Sequence, residues 1–318
     1  MSMAAPPRIT DADVAGYGGI HEAIDGLLGL VRGMTVPMED KERAAGMLYA
    51  LTIQATSDEK LEQSPPRANA ETIGSKGLKI LVDLMASKGA SHSAQAFACA
   101  AVAIACRVNV TFAAKASKLG AVEPLVVILR SSTGAAQEHA AALVASLSSA
   151  DENLDLLLKA GAVPALVRIL QGGNRSKSEV HAAQALGSLA SSADGQGQIH
   201  RAGGVACLLG LLGNAGTKEP AARAIARMAR ENAEVQKEVF KGGGIVQLLA
   251  LLSFINTEVQ IQAAAALSEL CQGAGGKNKR KAQDAVAKAG GVGPLLAVIE
   301  SPQTKQPLVA QATHALAM

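Results

Sequence analysis

Apolar residues in this chain do not spread evenly but gather behind a recurring glycine. In Gly161-Ala162-Val163-Pro164-Ala165-Leu166-Val167-Arg168-Ile169-Leu170 they fall at helical spacing, so the segment predicts a short amphipathic helix entered from a glycine. The phrase returns as Gly120-Ala121-Val122, Gly203-Gly204-Val205, Gly243-Gly244-Ile245 and Gly290-Gly291-Val292, each followed three residues on by a Leu-Leu or Leu-Val pair. Weaker copies begin at Lys76-Gly77-Leu78 and Glu22-Ala23-Ile24. Subtracting successive anchors 22, 76, 120, 161, 203, 243 and 290 gives intervals of 54, 44, 41, 42, 40 and 47. That period belongs to solenoids built from two or three helices per repeat, in which no unit buries its apolar face alone and neighbours complete the core.

From Glu71 onward each unit divides into three helices. A short one such as Glu152 to Lys159 stops at Gly161, a second runs from Pro164 to Leu170, and the longest, Val180 to Ser191, closes the unit. The anchor glycines fall where the first helix must stop and turn into the second, a place that favours left-handed backbone. Pro124, Pro164 and Pro294 lie near the first turn of the second helix, where the missing N–H costs nothing. Residues 1–18, with Pro6-Pro7, read as a flexible lead-in, and residues 19–318 as the solenoid. Two interruptions lengthen the period. A polar insertion at about 57–70, with Ser64-Pro65-Pro66, cannot be helical throughout, and a basic loop lies at about 273–281. Gln311 to Leu316 matches the middle of a third helix that Met318 cuts short. The expectation is that Leu295, Leu296, Ile299 and Leu316 are less buried than their counterparts, and that the protein continues past Met318 or is capped there by a partner.

Composition narrows this picture. Hydrophobic residues make up 49% and charged ones 18%, which excludes disorder for most of the chain. With 2% aromatics and no Trp, alanine and leucine must fill the core, so helices approach closely. A net charge of +3 over 318 residues is too mild to imply specific nucleic-acid binding. Cys99, Cys106, Cys207 and Cys271 lack metal-ligand spacing and read as reduced core thiols of an intracellular, cytoplasmic protein. No secretory leader is expected at Met1 to Thr10, and the longest apolar run, Ala94 to Cys106, is short of the roughly 20 residues a membrane helix needs, so the chain is not expected to be transmembrane.

The three-helix unit resembles the armadillo repeat over about Gly19 to Met318, most clearly in Gln137-Glu138-His139-Ala140-Ala141-Ala142-Leu143 and Val180-His181-Ala182-Ala183-Gln184-Ala185-Leu186. The resemblance implies an all-α, right-handed superhelical solenoid of about six to seven three-helix repeats, whose third helices line a concave groove for extended partner segments. Members that grip peptides there carry an Asn ladder, with a Trp ladder one turn before it in the nuclear-import receptors. Asn bonds a peptide backbone at donor and acceptor, while indoles form slots for Lys stems. In this sequence the Asn positions hold Ala50, Ala101, Ser146, Ser188, Arg227, Glu269 and Met318, and the Trp positions Gly46, Phe97, Ala142, Gln184, Arg223, Ala265 and His314. A nuclear-import role therefore loses both of its instruments. Arg223, Arg227 and Arg230, at i, i+4 and i+7, are expected to share the groove-facing side of one helix and to suit an acidic or phosphorylated segment. Ser146, Ser188 and Glu269 complete the candidate partner-binding set, the bland reading being a solvated face with Glu231 and Glu269 as counter-ions.

Other features carry less. His139 and His181 occupy equivalent positions one repeat apart, but stacked helices lie roughly 10 Å apart, too far for two imidazoles to share an ion. Gly273-Ala274-Gly275-Gly276-Lys277-Asn278 lacks the Ser or Thr and the preceding strand of a phosphate loop. Lys277 to Lys281 reads as a solvated basic loop, with a localisation or anionic-surface patch as the alternative. No nucleophile, base and orienter converge, so neither catalysis, cofactor nor small-molecule substrate is expected. The leading functional expectation is a protein-binding scaffold or adaptor. The alternatives are a structural subunit of a large assembly, such as a ciliary or membrane complex, and a fragment of a ubiquitin ligase that joins such repeats to a U-box.

Overall fold

The computed structural model describes residues 20–53, 65–173, 176–272, 276–300 and 306–316. Within them the chain is helical and no strand occurs, as the 3.6-residue periodicity requires. The helices are α1 (Ile20–Arg32), α2 (Met38–Ile53), α3 (Pro65–Ala86), α4 (His92–Val108), α5 (Thr111–Lys118), α6 (Val122–Ser131), α7 (Gly134–Leu147), α8 (Leu154–Lys159), α9 (Ala162–Gln171) and α10 (Lys177–Leu189). They continue with α11 (Ala193–Arg201), α12 (Gly204–Leu211), α13 (Lys218–Ala229), α14 (Ala233–Lys241), α15 (Gly244–Leu251), α16 (Thr257–Gln272), α17 (Gly276–Lys288), α18 (Val292–Glu300) and α19 (Gln306–Leu316). A 3-10 turn at Asp151–Asn153 leads into α8.

Two compact units divide the chain between Ala165 and Leu166, inside α9. In the first, the third helices α2, α4 and α7 pack side by side, α2 on α4 and α4 on α7. In the second the same layer is formed by α10 on α13, α13 on α16 and α16 on α19. Small side chains make these contacts possible. Ala96, Ala98, Ala100 and Ala103 are buried along α4, and Ala221, Ala222, Ala224 and Ala229 along α13. Leucines of the second helices, Leu125, Leu166, Leu208 and Leu248 among them, close the core beneath at 0% exposure. Each such Leu contributes about 1.5–3 kcal/mol over its exposed state.

The strong anchors are joints. Gly120, Gly161, Gly203, Gly243 and Gly290 all have φ between +72° and +87°. Around Gly243 the geometry separates two demands on successive glycines. A Cβ on Gly243 would meet nothing within 4 Å, so the position needs glycine only for its left-handed backbone. A Cβ on Gly244 would stand 2.6 Å from Val239 Cγ1 and 2.8 Å from Leu209 Cδ2, so that position needs glycine for space. The weak anchor Gly77 behaves differently. It lies within α3, an unbroken helix of 22 residues in which first and second helices are fused, and it admits close approach of Leu28.

Other expectations are corrected at the interruptions. The polar insertion is shorter on its C-terminal side, because α3 starts at Pro65, a first-turn position that suits proline; residues 57–64 lie outside the described residues, as do the lead-in and Met318. The basic run Lys277 to Lys281 belongs to a helix, α17, rather than a loop, since it lacks any helix breaker between Gly276 and Gly290. At the C-terminal repeat Leu296 is 42% exposed, and Ile299 and Leu316 are half-buried, whereas the counterparts Val167, Leu170 and Leu186 are buried. Leu295 departs from the expectation and is fully buried, like its counterparts Leu125, Leu166, Leu208 and Leu248.

A second recurrent device was not foreseen. Each third helix ends with carbonyls that have no helical partner. At four of them, α2, α7, α10 and α13, an amide from the segment that follows reaches back: Asn69 donates to Leu51 O at 3.1 Å, Asn153 to Leu147 O at 2.9 Å, and Gln236 to Ala229 O at 2.8 Å. Gln196 donates to Ala190 O at 3.3 Å and to Arg227 O at 2.9 Å. At the opposite joint the fourth residue of the third helix serves the end of the second helix, with Gln95 donating to Met85 O, Gln137 to Ser132 O and Gln260 to Leu252 O.

Replacing Gly243 by Ala is expected to cost about 1–2 kcal/mol from backbone strain alone. Gly243→Asn should cost less than Gly243→Ala, because Asn tolerates left-handed backbone, whereas Gly244→Asn should cost more than Gly244→Ala because the larger side chain is crowded. Denaturant titrations of the four variants check this, and equal costs for Ala and Asn at Gly243 would sink the distinction.

Candidate functional site

The layer of third helices exposes one row of residues per helix. In the second unit that row includes Gln184 and Ser188 on α10, Arg223 and Arg227 on α13, Ala265 and Glu269 on α16, all half-buried, and the exposed His314 on α19. Arg223 and Arg227 are one turn apart on α13 and share a face of that helix. Arg230 does not belong to that face by helical geometry. The helix ends at Ala229, Arg230 is extended at φ −61° and ψ 117°, and Glu231 follows at φ +53°. The i+7 rule fails there because the helix stops before it is reached.

Each guanidinium has a different partner. Arg223 Nη2 lies 2.6 Å from Glu219 Oε1 on its own helix. Arg227 Nη1 donates to Gly187 O at 2.9 Å, crossing from α13 to α10. That crossing is short because Gly187, lacking a side chain, sits against the Ala224 backbone. Arg230 Nε lies 3.1 Å from Glu269 Oε1 and ties the end of α13 to α16, leaving its own side chain 64% exposed. Glu269 is thus a counter-ion, as the bland reading had it, and Glu219, which sequence reasoning missed, is another. Its position at i−4 from Arg223 was the available signal. Burial pushes the Glu219 carboxyl above its usual range; Arg223 opposes this and Glu258 of α16 adds to it.

In the first unit the face is aromatic rather than charged. The Tyr49 ring of α2 lies 6.1 Å from Phe97 of α4, tilted by 30°, and 5.0 Å from His139 of α7 in an edge-on arrangement. One tyrosine therefore touches both third helices that follow its own. Its hydroxyl is pushed to higher pKa by burial and by Glu138, against Arg107. Phe97 occupied a Trp-ladder position in the sequence, whereas Tyr49 stands one residue before the Asn position Ala50 and so escaped notice. Ser146 is buried, and its hydroxyl donates to Ala142 O at 2.9 Å and Ala103 O at 3.3 Å, so it joins α7 to α4. Ser188, by contrast, keeps part of its surface in solvent.

Cys99, Cys106 and Cys271 are buried and Cys207 is half-buried, with no disulfide among them; burial drives the Cys99 and Cys106 thiols up to about 12. His181 Nδ1 lies 3.2 Å from Gln184 Oε1. Among the described residues, no three His, Cys, Asp or Glu side chains are grouped to hold a metal ion, and no helix is long and apolar enough to cross a membrane.

No protein-family model and no curated protein sequence matches the chain. Solved structures do match it. The crystal structure of an engineered protein agrees with a TM-score of 0.65 at 30% identity, over 75% of this chain and 94% of that one. A designed armadillo repeat protein agrees with a TM-score of 0.67 at 23% identity, over 75% of this chain and 98% of that one. Another, solved in complex with peptide (KR)4, gives 0.64 at 22% identity over 76% and 98%. The chain has the armadillo-repeat fold. None of the Asn-ladder positions of this armadillo fold holds Asn, and four of them serve the stack itself: Ala50, Ala101 and Ser146 are buried, and Arg227 is drawn to the carbonyl of Gly187.

A raised carboxyl pKa means that the folded armadillo unit holds the Glu219 proton more tightly than the unfolded chain. The stability this gives is present at low pH and is lost as pH rises from the ordinary Glu range through the raised value. The stability of the parent minus that of Glu219→Gln should therefore fall across that window and level off above it, read from denaturant titrations at a series of pH values. A difference that rises with pH would show that the Arg223 pair outweighs burial.

Proposed function

We propose that this armadillo-repeat chain is a non-catalytic protein-binding scaffold whose third-helix face in the second unit takes an extended acidic or phosphorylated segment of a partner. The observation that carries the reading is the pairing of Arg223 and Arg230, each held at the surface by one carboxylate of the chain itself. With Arg230 64% exposed, its pair is of the surface kind that contributes about 0.2–1 kcal/mol, so a partner carboxylate or phosphate that displaces Glu269 gives up little. A bidentate contact to the planar guanidinium then adds geometry that a lysine does not supply. Arg227 has a different role in this reading. Its bond to Gly187 O sets the spacing of α10 and α13, while Ser188, next along α10, offers a hydroxyl to the segment. Ser146 takes no part, being turned inward. The designed armadillo neighbour solved with (KR)4 supports peptide capture by this kind of scaffold; here arginines replace the ladder residues, which favours the opposite charge in the peptide.

The test is fluorescence anisotropy with two labelled peptides, one of alternating glutamate and phosphoserine and one of alternating lysine and arginine. The acidic peptide should bind the parent more tightly, and Arg223→Glu with Arg230→Glu should weaken it at least tenfold and flatten its salt dependence. Equal affinity in the double variant, or tighter binding of the basic peptide by the parent, would overturn the charge assignment.

A further inference from the structure

A cavity of about 570 Å³ opens on the first unit among the C-terminal end of α1, the first turn of α2 and the C-terminal half of α3. Its floor is apolar, formed by Val31, Ile80 and Leu84, of which Val31 and Leu84 are buried. Its rim is cationic, formed by Arg32, Lys41, Lys76 and Lys79. Two of these cations are matched within the chain. Lys76 Nζ holds both carboxylate oxygens of Asp25 at 2.8 and 2.9 Å, and Lys79 Nζ lies 3.0 Å from Asp83 Oδ1. Among the described residues, Arg32 and Lys41 form no ion pair, so the rim carries two positive charges beyond its own counter-ions.

We propose that this cavity is a second docking site, for a short acidic peptide segment that carries a large apolar side chain beside a carboxylate. The apolar side chain fills the floor between α1 and α3, and the carboxylate is received by Arg32 with Lys41 beside it. Charge complementarity selects the acidic segment: the uncompensated rim is positive, and a guanidinium offers a planar pair of donors to a carboxylate. Volume and lining agree with this occupant. A space of this size takes a short peptide stretch, an apolar side chain together with the carboxylate beside it. Because more than half of its lining is charged or polar, a long acyl chain would leave methylenes against lysines and Asp83. The site shares no residue with the proposed face of the second unit, which is carried by α10, α13 and α16, and either stands if the other fails.

Met38 stands in the lining and supplies a reporter. With the full chain labelled at methionine methyl groups, a peptide of sequence Gly-Glu-Leu-Glu-Glu-Leu-Glu should shift the Met38 methyl resonance saturably and leave Met228, buried in the second unit, in place. The Met38 signal is assigned by its absence in Met38→Leu. Arg32→Glu with Lys41→Glu should weaken the binding at least tenfold, and Ile80→Ala at least threefold, while Arg223→Glu with Arg230→Glu leaves the Met38 shift unchanged. Unchanged far-ultraviolet circular dichroism of the charge variants verifies that they fold. No saturable shift at Met38, or equal binding of the same peptide with Ser in place of both Leu residues, overturns the proposal. Tighter binding of decanoate than of the peptide overturns it in favour of a free amphipathic acid.

Discussion

Most repeats in this chain turn the backbone between three helices inside a body built from alanine and leucine, and each turn strands carbonyls where little water reaches them. An unpaired buried polar group costs about 1–3 kcal/mol, as much as a buried leucine contributes, so an apolar solenoid stands or falls on how its helix ends are satisfied. Two devices meet the demand. A left-handed glycine reverses the chain between first and second helices. A side-chain amide, from Asn69, Asn153, Gln196 or Gln236, satisfies the end of the preceding third helix.

The same devices position the surface proposed to bind. Because Gln196 donates to Arg227 O and Asn232 Nδ2 donates to Gln196 Oε1, the C-terminal end of α13 is fixed to α11 and to the start of α14. Arg230 leaves the helix from that fixed point and reaches Glu269 of α16. Arg227, anchored on Gly187 O, fixes the opposite side of α13. The guanidiniums of Arg223 and Arg230 are thus carried on a helix held at both flanks, which keeps their geometry toward a partner while the exposed Arg230 pair remains weak enough to exchange.

Most of the fold was legible because it rests on repetition. Five glycine anchors with following Leu pairs are a strong signal, and all five are left-handed. What escaped notice were features set by contacts between segments. Gly77 resembles the other anchors in sequence, yet α3 runs straight through it, since Leu28 of α1 rather than a turn demands the missing side chain. The amide staples are carried by Asn at some joints and Gln at others, and their offset from the glycine varies by a residue, so no motif forms. For the candidate site, the positions of Arg223 and Arg227 followed from spacing, but the end of α13 at Ala229, the inward turn of Ser146 and the part played by Glu219 depend on neighbours that a linear pattern does not specify.

The account therefore turns on a buried amide that touches no proposed partner. Gln236 is 1% exposed and donates to Ala229 O at 2.8 Å. Hydrogen exchange followed by mass spectrometry on full-length Gln236→Leu, a change close in volume, measures its role. The account predicts faster exchange in α13 and α14 and a loss of about 1–3 kcal/mol of stability in the second unit. Protection in α13 and α14 equal to that of the parent would contradict it.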